Sequence, residues 1–170
     1  MTKKYVITAM CITLCSVLPL VLHAIPGAAN SVLPMHIPVL VCGLLLGPYF
    51  GLLAGIFGPV LSSFTTGMPT PLYMPAMVIE LATYGFVAGF MMRIMRTPNK
   101  YVNLYTSLIT AMLLGRVLAG IARAFIFMRG NFSVALWVAG YFVTSMPGII
   151  IQLAIIPVIV TALYKARVHN

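Results

Sequence analysis

Long apolar runs, broken by short intervals rich in Pro, Gly, Asn and Ser, organise this chain from end to end. Most runs are long enough for a helix to cross a bilayer, which takes about 20 apolar residues. Six spans follow from the pattern. The first runs from about Tyr5 to His23, and "AIPGAANSVLP" after it reads as a loop. The second, from about Met35 to Gly47, is short, roughly 20 Å at 1.5 Å per residue. The third runs from about Pro48 to Thr66, with Pro48 where a helix start tolerates it. "GMPTPLY" is a second loop, and the fourth span follows from about Met74 to Met95. The fifth runs from about Val102 to Met128. The sixth starts near Val134 or later, bends at Met146–Gly148 ("MPG") and ends near Tyr164.

Composition agrees with this reading. Of the 170 residues, 62% are hydrophobic and 6% charged, against about 25% charged in an ordinary soluble domain. The expectation is an all-α, polytopic integral membrane protein: one domain over residues 1–170, built as a bundle of six transmembrane helices. The start, with Lys3, Lys4, an apolar core and "LHA", imitates a secretory signal. Because the rest of the chain is equally apolar, it is read as an uncleaved first span. Cys11, Cys15 and Cys42 all fall inside apolar segments and read as small packing residues rather than metal ligands.

The net charge of +9 does not make a nucleic-acid partner, because the cations form no stripe that could track phosphates. They flank the apolar runs. With both termini inside, the cytoplasmic side receives Lys3, Lys4, Arg93, Arg96, Lys100, Lys165 and Arg167, and the outside only Arg129. That asymmetry predicts an N-in, C-in arrangement.

Small residues recur every fourth position: Gly43, Gly47, Gly51 and Gly55, then Gly85 and Gly89. Such spacing lets membrane helices approach closely. It serves either packing within the bundle or a docking face for another protein.

The chemistry concentrates in three charges. Glu80, in "YMPAMVIELATYGFVAGF", is the only acidic residue of the chain, and Arg116 and Arg123 lie in "LLGRVLAGIARAFIF" of the fifth span. The two arginines are seven residues apart and project from nearly the same helix face. Charges inside a membrane are costly and mark function or a paired interior network. Counting from the expected outer ends, Glu80 and Arg123 match at roughly 9 and 8 Å depth, with Arg116 deeper, at about 18 Å. Glu80 is therefore expected to face Arg123. Two cations against one anion leave a net positive site suited to a carboxylate, which guanidinium grips in a bidentate fork. His36, Asn30, Thr65, Tyr73 and Tyr141 are further candidate ligand contacts around the same outer half, with Ser31, Thr66, Met68, Met74, Thr144 and Ser145 beside them. Gln152 reads as a deeper packing residue, and Trp137 as part of an interfacial belt.

No G-x-S-x-G, H-E-x-x-H or paired-acid motif occurs, so an enzyme is not expected, nor any cofactor or metal. No Walker A motif occurs either, so the chain cannot energise transport with ATP by itself.

The blocks "LPMHIPVLVCGLLLGPYFGLLAGIFGPVLSSFTTGMP" and "MVIELATYGFVAGFMMR", the "GR" of span five and "PGIIIQLAIIPVIV" near the end carry a resemblance over nearly the whole chain. They resemble the substrate-binding membrane subunit, or S component, of energy-coupling factor (ECF) vitamin transporters. That resemblance implies a six-helix bundle in the bacterial plasma membrane that binds a vitamin from outside. It also implies partnership with a transmembrane coupling subunit and two ATPases, toward which the bundle topples to release its cargo. An anionic vitamin such as pantothenate fits the positive site. Family members often dock through A-x-x-x-A on the first helix; here the nearest matches are Ala9-xxx-Thr13 and Cys11-xxx-Cys15. The alternative is a stand-alone secondary transporter with Glu80 as proton carrier, since burial raises a carboxyl pKa.

Overall fold

A computed structural model describes residues 2–23, 33–95, 97–126, 135, 139–143 and 145–168. These form six α-helices: α1 (Thr2–His23), α2 (His36–Leu46), α3 (Pro48–Thr66), α4 (Met74–Ile94), α5 (Lys100–Ile126) and α6 (Met146–Val168). A five-residue π-helical segment, Ala139–Val143, precedes α6. No strand occurs among the described residues. All except α2 are long and apolar enough to cross a membrane. The protein is an all-α, multi-pass membrane protein.

Helix ends follow local chemistry. Pro48 and Pro75 stand in the first turns of α3 and α4, where the missing N–H is no loss. Asn99 Oδ1 accepts from the Tyr101 N–H at 3.0 Å and caps the start of α5. The bend expected at Met146–Gly148 is instead the beginning of α6. Pro147 lacks the N–H that an internal turn would use, so it fits a first turn.

α4 is the centre of the bundle, between α3 and α5, with α1 against α3, α2 against α4 and α3, and α6 against α2 and, more lightly, α5. The glycine series builds the α2–α3–α4 contact. Gly47 has φ 102°, a conformation that strains any residue with a Cβ, and it joins two helices through a single residue. The chain folds back there: a Cβ on Gly51 would stand 2.7 Å from the Gly43 Cα, positions that one continuous helix would hold about 12 Å apart. Both Gly43 and Gly51 press on the Gly85 carbonyl, and Gly89 sits over the Gly47–Pro48 link, 2.5 Å from its atoms at the Cβ position. The stripes are thus spent inside the molecule, not on a docking face. Without a hydrophobic drive between lipid-bathed helices, close backbone packing is a principal source of cohesion.

α2 is buried on nearly every side. Leu40, Val41 and Leu44 pack with Tyr84, Leu108 and Ile156 on one flank. Val39, Cys42 and Leu46 pack with Cys11, Cys15, Ala54 and Leu81 on the other. Its short length has a consequence for depth. It ends beside Gly89 of α4 and starts beside Glu80. Its first residue therefore lies about 9 Å below the start of α4, counted as six residues at 1.5 Å.

Candidate ligand site

That depth puts His36 inside the bundle rather than at its rim. His36 is 2% exposed and Glu80 7%. His36 Nε2 stands 3.5 Å from Glu80 Oε1. The same oxygen accepts the hydroxyl of Tyr84, one turn along α4, at 3.0 Å. The His36 and Tyr84 rings touch at 5.2 Å between centroids. Tyr84 is held in turn by Gly115 of α5, where a Cβ would collide with the Tyr84 ring and come within 3.1 Å of the Glu80 carbonyl oxygen.

This last contact fixes the register between α4 and α5. Gly115, and so the neighbouring Arg116, is level with Glu80. Two turns outward, the Arg123 guanidinium lies over the Tyr73 ring, 4.9 Å from its centroid. The antiparallel helices therefore pair Arg116 with the Glu80 layer and Arg123 with Tyr73, about 10 Å higher. The depth match expected between Glu80 and Arg123 is displaced by one heptad. The reason is that the helix ends are not flush: α5 runs past the level of Tyr73, the residue before α4. Arg116 is 2% exposed, so the inner arginine is the buried one.

α6 reaches the same layer through Gln152. This side chain is fully buried and its Nε2 donates to the Leu33 carbonyl at 3.5 Å. That carbonyl also accepts the His36 N–H, at 3.1 Å. Gln152 thus joins α6 to the entrance of α2. Both ring nitrogens of His36, Nδ1 and Nε2, and Gln152 Oε1 have no hydrogen-bond partner among the described residues, so the 3.5 Å approach of His36 Nε2 to Glu80 is an electrostatic contact.

A sequence-family model for the substrate-specific component of ECF transporters matches residues 3–160. The chain belongs to that family. No curated protein and no solved structure matches it. As a family member it is a substrate-binding subunit of an ECF-type transporter.

The S component gathers its candidate residues unevenly. Glu80, His36 and Arg116 come together in one buried layer. Arg123 and the half-exposed Tyr73 form a second layer above it. Thr65 is exposed at the end of α3, where its hydroxyl donates to the Leu61 carbonyl at 2.9 Å. Tyr141 belongs to the π-helical segment. Asn30, Ser31, Arg129, Trp137 and Thr144 lie outside the described residues. Gln152 is the deeper packing hydrogen bonder expected of it, and Tyr84 is the added member of the layer. For Tyr84 a signal existed: it stands four residues after Glu80, on the same helix face.

The two small pairs on α1 divide. Cys11 and Cys15 face inward at 6% and 0% exposure, with Cys15 Sγ 3.6 Å from the Met35 carbonyl oxygen. Ala9 and Thr13 face outward, joined by a 3.0 Å bond from the Thr13 hydroxyl to the Ala9 carbonyl. Cys11 and Cys15 therefore belong to the α1–α2–α3 packing, whereas Ala9 and Thr13 are exposed on the outer face of α1.

Proposed function

We propose that this S component captures an anionic vitamin from the outer side of the membrane, with pantothenate as the first candidate. The observation that carries the reading is the buried polar layer of His36, Glu80, Arg116 and Gln152, in which His36 Nδ1 and Gln152 Oε1 are unfilled. Buried polar atoms are normally satisfied, and exceptions of this kind call for a ligand or an ordered water. Two arginines against a single carboxylate favour an anion, and guanidinium is suited to a carboxylate. In this arrangement His36 and Tyr84 hold Glu80 in place. Glu80 supplies the one negative charge of the layer, and Arg116, at the same level, meets the vitamin's carboxylate. His36 and Gln152 accept or donate to its neutral polar groups, such as hydroxyls and an amide. Arg123, with Tyr73, forms the approach to the site.

Energy comes from outside the chain, from a coupling subunit and two ATPases. The outward Ala9–Thr13 face of α1 supports close approach by a coupling helix. The positive-inside pattern supports N-in, C-in insertion in a bacterial plasma membrane. The test is uptake of labelled pantothenate into proteoliposomes holding the chain with and without its coupling module. The reading expects tight binding by the chain alone and sustained, ATP-dependent uptake only with the module. Uptake by the chain alone that follows a proton gradient would transfer the role of Glu80 to a proton carrier and overturn the proposal.

A further inference from the structure

A second feature lies at the opposite end of the bundle. A cavity of about 540 Å³ opens between α4, α5 and α6, walled by Met92, Leu104 and Val160 and flanked by Tyr164, Lys100 and Lys165. That volume lies in the range of sites that hold small organic molecules. Lys100 is the first residue of α5, and Lys165 lies in the last turn of α6. Along α5, Lys100 is about 24 Å from Arg116, most of the way across a hydrocarbon core of about 30 Å. The cleft therefore opens at the membrane interface facing away from the ligand layer.

Its charge cannot be balanced by an acidic side chain of this chain. Glu80 is the only one, and it is engaged with His36 and Tyr84 in the other layer. The first turn of α5 holds no acid. The Tyr164 hydroxyl is turned to the Leu44 carbonyl, 3.4 Å away, and the Thr161 hydroxyl to the Pro157 carbonyl, 2.7 Å away. The lysines remain as the cationic donors at the mouth, above an apolar wall.

An apolar trough with two ammonium groups at the headgroup level matches one kind of occupant. We infer that the α5–α6 cleft binds an anionic phospholipid, its phosphate between Lys100 and Lys165 and its acyl chain along Met92, Leu104 and Val160. Basic pockets between membrane helices take anionic headgroups in this way. The bilayer supplies such a molecule at high local concentration. Bound there, it fills the space beside α6 and shares its single phosphodiester charge between the two ammonium groups.

The experiment is native mass spectrometry of the full chain released from nanodiscs of mixed phosphatidylglycerol and phosphatidylcholine. The expected result is preferential retention of one phosphatidylglycerol. Retention should fall on the order of tenfold in Lys100→Gln/Lys165→Gln and stay unchanged in Lys3→Gln/Lys4→Gln, which removes equal charge at the start of α1. Leu104→Trp, which fills the trough and leaves the charge alone, should also lower retention, and excess inorganic phosphate should not displace the lipid. Equal retention of the two lipids, or equal loss from the Lys3/Lys4 variant, overturns the inference. So does full displacement by phosphate, which would make the lysines a simple anion site. Loss of the lipid on adding the coupling subunit, with Lys100 and Lys165 shielded from acylation, would assign the cleft to that protein instead.

Discussion

α2, α3 and α4 meet backbone to backbone, glycine against carbonyl, whereas α6 reaches the same layer by individual side chains. The first wall has no slack: positions Gly43, Gly51, Gly85 and Gly89 leave no room for even a methyl group. The second wall rests on contacts such as Gln152 to Leu33 and Tyr164 to Leu44. The buried polar layer proposed to take the ligand lies between them, with His36, Glu80 and Tyr84 on the first side and Gln152 on the second. The difference teaches a division of labour. The glycine wall fixes the charged groups within tight limits, where misplacement of an intramembrane charge costs most. The α6 wall adds apolar packing through Ile156 and Val160 beside its single polar contact to the layer.

The sharpest way to break the comparison is to put a side chain into the glycine wall. Gly85→Leu drives atoms into the backbone of α3, and overpacking of this kind costs about 3 kcal/mol or more. The expected outcome is loss of monodisperse protein on size-exclusion chromatography, while a residue of the same size exchanged on the outer face, Ile150→Leu, has no effect. Arg116→Ala comes next. It should lower affinity for the anionic ligand about 100-fold, near 2.7 kcal/mol, as measured by calorimetry on the fraction that elutes monodisperse. Arg123→Ala, one heptad higher beside the half-exposed Tyr73, should cost less than Arg116→Ala, about tenfold. Glu80→Gln retains shape and removes the negative charge beside His36 and Tyr84 in the layer that Arg116 shares, so affinity should drop about tenfold in the same assay. The smallest effect belongs to the light wall: Gln152→Ala removes one neutral hydrogen-bonding group, worth about 1 kcal/mol, or roughly fivefold.

The sequence made one wall legible and blurred the other. Four-residue glycine spacing and Pro48 marked α2, α3 and their junction at once, because a missing Cβ and a missing N–H are local facts. Glu80, Arg116 and His36 stood out because a charged or titratable group in an apolar run has few innocent reasons to be there. What was hidden is relational. The heptad offset between Glu80 and Arg123 depends on how far α5 overshoots α4, and no local signal records that. Gln152 read as a deep packing hydrogen bonder, and it is one, but its partner Leu33 lies more than a hundred positions away in the chain and no local signal names it. Tyr84 was masked by its aromatic ring, which reads as core even though its hydroxyl holds the carboxylate. The Ala9–Thr13 and Cys11–Cys15 pairs share one spacing and one helix, and only packing against α2 and α3 separates them.

The central claim is that the buried layer around Arg116 recognises a carboxylate. Its most direct test is to purify the wild-type chain and Arg116→Ala gently from cells grown in rich medium and identify the released small molecules by mass spectrometry. The account predicts one carboxylate-bearing vitamin at near-stoichiometric occupancy in the wild type and its absence from the variant. A neutral molecule held equally by both proteins would contradict it.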